Sequence, residues 1–332
     1  MNKTSRLLVG VFAAVMGLAG MARSGQVITL TFAPPENSPH HKASLEFGRL
    51  VEEKTNGAYV VQVYPNSALA GGNQLGAIEM VQNGSISCGF LSPLVQAGME
   101  PNLNALSIPW LWKSVDVIDE NLQPGTSVHE ELNRIVRKKG FEIIGYGENG
   151  FRELTNNLRP VSKPEDMKGI KFRVIGSRML LDVFSAFGAN PVDINFSELF
   201  TALQQGTVDG QENPVSTIII PNRYYEVQKY LTIWNYSYEP HPLQFNRRLW
   251  DSYSPDTQKA IKEAAAVACE LQKKLAREAL ANDLATIGKN TEIIELSDEQ
   301  LIPFKELAKP AVQSHLGGFD QALLKALQEA NK

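Results

Sequence analysis

The sequence has little with which to build covalent or metal chemistry. Of 332 residues, two are cysteine and five histidine, and no Cys/His spacing matches a metal site. There is no phosphate-binding glycine loop and no nucleophile motif. Glu148, Glu212 and His40 are the nearest approach to acid–base groups, and His40-His41 is expected to be solvated at the first turn of a helix. This leaves little ground for an enzyme or for a cofactor. Net positive charge is also missing. A formal charge of −4 argues against nucleic acid or an anionic lipid surface as partner. Repeats and low-complexity tracts are absent. Two cysteines exclude a disulfide framework. Cys88 lies in an apolar strand-like run and Cys269 in a long helical pattern, which favours two buried thiols over a bridge.

Long apolar runs are confined to one place. Lys3 and Arg6 precede a run from Leu7 to about Ala22, followed by the small residues Ala22, Ser24 and Gly25. A basic start, a short apolar core and a small-residue zone form a secretory signal over residues 1–24, cleaved near residues 22–25. The run is short for a membrane span of about 20 residues, and no cysteine stands there to take a lipid. Cleavage removes Lys3, Arg6 and Arg23 and no acid, so the charge moves from −4 to −7. The mature chain is expected in the periplasm.

What remains alternates between strand and helix. Val27–Phe32 has the two-residue alternation of a strand. Ser38-Pro39 then caps a helix reaching about Thr55, and Asn56-Gly57 ends it before a strand at Tyr59–Tyr64. A helix over Asn73–Gln82, a strand over Ile86–Leu91, a helix from about Ser114 to Lys138 and a strand over Glu142–Tyr146 complete a first α/β block. The segment from Glu148 to Asn156 is polar, extended and glycine-containing, which marks a crossover. A second block follows: strand Lys171–Val174, helix Ser177–Ala186, strand Asn190–Asp193, helix Ser197–Gln205 and strand Thr207–Gly210. Asn195 and Glu198 have capping-box spacing. The polar residues 209–214 read as a turn at a strand's carboxyl end, where open α/β sheets bind ligands. Tyr230–Tyr236 and Pro240–Phe245 read as two strands returning toward the first block. From Ser254-Pro255 an apolar periodicity runs to about Ile287, a helix roughly 50 Å long that could brace both blocks. Helices near 298–308 and 310–330 finish the chain.

Gly169-Ile-Lys-Phe-Arg-Val174 stands out. Alternation places Ile170, Phe172 and Val174 on one side and Lys171 and Arg173 on the other. Arg173 is either solvated or paired with a nearby acid, or it is held for a carboxylate that its planar fork would grip with two parallel hydrogen bonds.

Several stretches together resemble the DctP-type solute-binding proteins of tripartite ATP-independent periplasmic (TRAP) transporters. They are Val51-Glu-Glu-Lys-Thr-Asn-Gly57, Val63-Tyr-Pro-Asn-Ser-Ala-Leu69, Ile108-Pro-Trp-Leu-Trp112, Gly147-Glu-Asn-Gly-Phe-Arg152, Met167-Lys-Gly-Ile-Lys-Phe-Arg173, and the long run from Phe196 to Pro214. The resemblance covers residues 27–330 and is densest over 165–230. It implies an α/β fold of the two-lobed periplasmic-binding-protein type, with crossover β-strands and a long helix spanning both lobes. Lobe I would comprise residues 26–148 plus about 239–278, and lobe II residues 149–238 plus about 279–332. It implies an organic acid in the cleft, its carboxylate on Arg173 with Asn213 completing the site. Arg152 would be a second cleft cation, and Phe196 would pack on the ligand. Membrane permease subunits would be the partners; a sensory receptor is the alternative. Two arginines facing an empty cleft should repel and favour an open state.

In the sialic-acid-binding members a glutamate aligns with Ser92 and an asparagine with Gly176, so this cleft departs from theirs. Ser92, Asn73, Gln74, Glu36 and Asn37, with Glu148 and Glu212, could still hydrogen-bond a hydroxylated ligand. The Glu148-Asn-Gly-Phe-Arg152 hinge resembles that of members that bind sugar acids and keto-sugar acids, and this resemblance favours a hexuronate or related sugar acid. The alternative ligand is an aromatic or aliphatic keto or hydroxy acid; Trp110, Trp112 and Trp234 would fit an aromatic one, unless they serve as core packing.

Overall fold

A computed structural model describes residues 25–332; the expected signal segment lies outside the described residues. Strand β1 (Gln26–Thr31), helix α1 (Pro39–Lys54) and β2 (Tyr59–Tyr64) open the chain as a parallel βαβ unit. Ser38 caps α1 by accepting a hydrogen bond from the His41 amide at 3.3 Å. Helix α2 (Gln74–Asn83) leads to β3 (Cys88–Phe90), which pairs with β1. Then come the short α3 (Pro93–Gln96), α4 (Val115–Asn121) and α5 (Ser127–Arg137). The single helix expected over 114–138 is thus broken. Pro124-Gly125, with Gly125 at φ 95°, separates the two pieces, and Thr126 caps the second.

The centre of the molecule is a ribbon of two long antiparallel strands, β4 (Phe141–Asn156) and β8 (Tyr230–Asn246). What reads in sequence as two returning strands is this one strand. At the Phe141/Asn246 end β8 carries β3, and through it β1 and β2. At the other end β4 carries β7 (Gly210–Asn213), then β5 (Lys171–Arg173) and β6 (Asn190–Val192), while β9 (Glu292–Glu295) adds to β8. One sheet in the order β2-β1-β3-β8-β4-β7-β5-β6 therefore holds a lobe at each end of its ribbon. Helices α6 (Arg178–Ala186) and α7 (Leu199–Gln204) cover the second lobe.

β7 is a correction. The run 209–214 is not a turn after a strand; it is largely the strand. Gly210 is required there, because an added Cβ would lie 2.2 Å from the Thr155 carbonyl oxygen. The capping box at Asn195 also fails, since Asn195 makes no side-chain cap bond and a 3₁₀ turn (Phe196–Glu198) precedes α7.

After α8 (Arg247–Ser252), α9 (Pro255–Ile287) runs 33 residues from its Ser254 cap. Ile261, Ala264, Ala265 and Ala268 join the core of the first lobe, and Leu284 and Ile287 that of the second. Gln272, midway, takes both the amide and the carbonyl of Glu148, at 2.7 and 2.8 Å. The helix thus braces both lobes. Helix α10 (Asp298–Leu316) continues through Pro303 and Pro310, past the expected break at 308–310, and α11 (Gln321–Ala330) follows. Cys88 and Cys269 are free, buried thiols. Trp112 and Trp234 are buried, and Trp110 packs edge-on against Trp234 with ring centres 6.1 Å apart. All three serve packing.

The ribbon changes register at three points, the last between Arg152 and Leu154. There Asn235 takes a left-handed φ of 44°, and the Glu153 carboxylate accepts the amides of Trp234 and Asn235 at 2.8 and 3.1 Å. Burial pushes the Glu153 carboxyl up to about 7, against the pull of these two amides. An acid whose folded pKa lies above its unfolded value of 4.5 binds protons more tightly when folded. Stability therefore falls as pH rises from about 4.5 to about 7, by up to about 3 kcal/mol. Glu153→Gln keeps an acceptor for both amides and removes this cost. We expect its melting temperature to exceed the wild type's at pH 8, with the gap closing at pH 4.5. A pH-independent difference in a thermal melt would refute the account.

Candidate functional site

The register of β4, β7 and β8 brings three charges together beneath the cleft. Arg152 on β4 is fully buried. Its Nη2 donates to Glu212 Oε1 and the Glu212 carbonyl, each at 2.8 Å, and to Asn213 Oδ1 at 3.1 Å. Its Nε and Nη1 donate to the carboxylates of Glu212 on β7 and Glu239 on β8. Glu212 also accepts from the Tyr236 hydroxyl at 2.6 Å and the Ile175 amide at 3.3 Å. Glu239 also accepts from Ser92 Oγ and from Asn149 Nδ2 at 2.9 Å. Burial pushes the Glu239 carboxyl up, but Arg152 and these donors together hold it below the usual range. Arg152 is therefore largely neutralised by protein carboxylates, and the expected repulsion between two bare arginines is reduced to a lesser contribution to the lowered pKa of Arg173.

Arg173, at the end of β5, is different. It is 3% exposed. Its Nε donates to the Ile194 carbonyl at 3.0 Å. Neither terminal nitrogen has a hydrogen bond, and no carboxylate contacts the guanidinium, among the described residues. Burial pulls its pKa down, with Glu212 and Tyr224 opposing. It remains a cation, since even a depressed guanidinium is not deprotonated in a protein.

Beside it, Phe196, half-buried, faces Tyr224 with ring centres 6.4 Å apart. The two rings line a cavity between the lobes with Ala33, Ser67, Gly72 and Asn222, where the centre of a water-sized sphere has about 180 Å³ to move in. The lobes touch at its rim. Asn37 Nδ2 donates to the Pro221 carbonyl at 3.2 Å, and a Cβ added at Gly72 would lie 3.2 Å from Ser197 Cβ. A second, smaller cavity in the first lobe is lined by Gln74, Ser92 and His241, and shares Ala33 and Ser67 with the first.

The other sequence-derived residues scatter. Asn213 binds Arg152 and, at 2.6 Å, Gln211, rather than Arg173. Asn73 caps α2 and is exposed. Glu36 is exposed at the rim. Glu148 points away from the cleft to Arg277 on α9 at 2.7 Å, with the Tyr238 hydroxyl at 2.8 Å. His40 is a correction. It is fully buried, not solvated, with its Nε2 2.7 Å from His241 Nδ1. At Gly176 an added Cβ would lie 2.7 Å from Asp193 Oδ2, the tip of an exposed side chain that would have to move aside.

Sequence reasoning missed Glu239 and His241. A signal existed: they stand two apart, on one face of an extended run otherwise rich in tyrosine and proline. A carboxylate in such a strand needs a buried partner.

The model of the bacterial extracellular solute-binding proteins, family 7 (DctP) matches residues 31–317. The 2,3-diketo-L-gulonate-binding periplasmic protein YiaO of Escherichia coli is 32% identical over 267 residues, 80% of this chain and 80% of its own. The sugar acid binding protein DctPAm of Advenella mimigardefordensis, solved with galactonate, is similar at TM-score 0.87 and 32% identity, over 93% of this chain and 98% of its own. A TRAP periplasmic solute-binding protein of Shewanella oneidensis, solved with succinate, gives TM-score 0.85 and 30% identity over 93% and 100%. In sequence and in fold the chain belongs to the DctP family: it is a TRAP-type periplasmic solute-binding protein for organic acids, not an enzyme.

Proposed function

We propose that the protein captures a sugar acid, a hexuronate or a close relative, and delivers it to the membrane subunits of a TRAP transporter. The carboxylate binds Arg173 while the hydroxylated remainder lies toward the two neighbouring cavities, which share Ala33 and Ser67. The observation that carries this reading is the contrast between the arginines: Arg152 is saturated, whereas the Nη atoms of Arg173 are unpartnered in a buried setting. A buried guanidinium without a counter-ion is costly, and a ligand carboxylate removes that cost with a paired hydrogen bond. Asn66, Ser67 and Asn222 give the larger cavity polar walls suited to hydroxyls. The tryptophans lie in packing positions, which disfavours an aromatic acid. The closing bodies are residues 26–148 with about 239–278, and 149–238 with about 279–332. With the charge of Arg152 largely offset, closure gains mainly from the ligand's contacts with both lobes.

The test is a thermal-shift screen of the mature protein against uronates, aldonates, keto-sugar acids, C4-dicarboxylates, branched keto acids and aromatic acids. A cognate ligand at a thousandfold over its Kd stabilises by about 4 kcal/mol, which moves the melting temperature by several degrees. Hits among the sugar acids are expected. Hits confined to dicarboxylates or to aromatic acids would overturn the sugar-acid reading and leave the carboxylate anchor standing.

A further inference from the structure

The histidine pair beneath the smaller cavity has no role in carboxylate binding, yet its hydrogen bonding is constrained. His40 and His241 are both buried, and one proton joins His40 Nε2 to His241 Nδ1 at 2.7 Å. His40 Nδ1 is sealed without a partner, among the rings of Phe32 and Phe90. If His241 Nδ1 donated, the proton of neutral His40 would sit on this sealed Nδ1, as an N–H with no acceptor. Orphaned buried N–H groups are rarer than bare acceptors. The shared proton therefore belongs to His40 Nε2, and His241 Nδ1 accepts. A neutral imidazole carries one proton, so that of His241 is on Nε2. That atom makes no hydrogen bond among the described residues, and the ring lines the cavity with Ser92 and Gln74. Burial keeps both rings neutral. It pulls His40 well down and brings His241 to about 4 despite the opposing carboxylate of Glu239.

We infer that His241 is a specificity-determining residue that offers an uncharged N–H to one neutral oxygen of the ligand, a hydroxyl or keto group at the end remote from Arg173, with His40 fixing its tautomer. This rests on the sugar-acid reading and sharpens it. The cavity gives the centre of a water-sized sphere about 10 Å³, room for about one oxygen. A second carboxylate is rejected there on three counts. It is larger than the space, no cation lines the cavity, and the Ser92 hydroxyl proton is already committed to Glu239.

The experiment is calorimetric titration of the mature wild type, His241→Leu and His241→Gln with galactonate, galacturonate and succinate. Wild type should prefer the better sugar acid to succinate by roughly a hundredfold or more. His241→Leu should lose roughly tenfold in sugar-acid affinity, the worth of one hydrogen bond, and His241→Gln, which keeps an N–H donor, should recover part of it. A wild type that binds sugar acids but loses nothing in His241→Leu, or binds succinate equally well, overturns the inference alone. A wild type that binds neither sugar acid overturns this inference together with the functional reading on which it rests. Should the leucine variant not fold, ¹⁵N-histidine NMR of the wild type decides. A protonated Nε2 on His241 that shifts with galactonate supports the assignment, and a protonated Nδ1 refutes it.

Discussion

Arg173→Ala is expected to lower organic-acid affinity by a factor of about 150 to 5,000 and to leave the ligand-free protein as stable as before. The two halves have one cause. In the bound state the guanidinium and the ligand carboxylate form a buried pair, and removing one partner of such a pair costs roughly 3–5 kcal/mol, which gives that range of fold-changes. In the free protein the same guanidinium is buried with a single hydrogen bond, from Nε to Ile194. Deleting it relieves a desolvated charge but also removes that hydrogen bond and buried packing, effects of opposite sign, so the ligand-free melting temperature should stay within roughly 3 °C. Arg173→Lys keeps the charge and loses the fork, and should fall between. Calorimetry with the best ligand from the screen, beside thermal melts without ligand, reads both halves. Retained affinity in Arg173→Ala would remove Arg173 from the site. A large fall in stability with unchanged affinity would make it a structural residue.

Elements with local causes were legible in the sequence. The alternation of Val27–Phe32, the Ser38-Pro39 start of α1 and the Ser254-Pro255 start of α9 each rest on a few adjacent residues, and each formed close to the expected bounds. So was the oddity of Arg173, because alternation alone puts it opposite Phe172. What depended on distant partners was not legible. Arg152 meets Glu239 across 87 positions, and nothing near Arg152 announces that its charge is taken. The polar run Gln211-Glu212-Asn213 read as a turn because polarity is the local sign of a turn. It is a buried strand whose polar groups are satisfied by Arg152, Tyr236 and Thr155. The break between α4 and α5 has a local cause: Pro124-Gly125 is a breaker pair inside the run 114–138, and a single helix across that run leaves it out of account.

Arg152→Met should have the opposite signature from Arg173→Ala: a large loss of stability, and a smaller loss of affinity per folded molecule. The methionine strands Glu212 and Glu239, both fully buried, without their cation. Breaking a buried ion pair this way costs roughly 3–5 kcal/mol, a fall of roughly 5–10 °C in melting temperature for a chain of this size. The pH dependence identifies the cause. In wild type the folded Glu239 carboxyl is held below its usual pKa, so its contribution is present at neutral pH and is lost as pH falls through the folded value. In Arg152→Met the Glu239 carboxyl has lost the main group that held it down, and burial raises it. A raised acid penalises folding above its folded pKa and ceases to do so below its unfolded one. The variant's deficit should therefore be largest near pH 8 and shrink toward pH 4.5. Adding Glu212→Gln and Glu239→Gln should recover much of it at pH 8, because the stranded charges are gone. A deficit equal at both pH values, and unmoved by the glutamines, would point to a packing defect and would mean that the Arg152 ion cluster is not what holds β4, β7 and β8 together under the cleft.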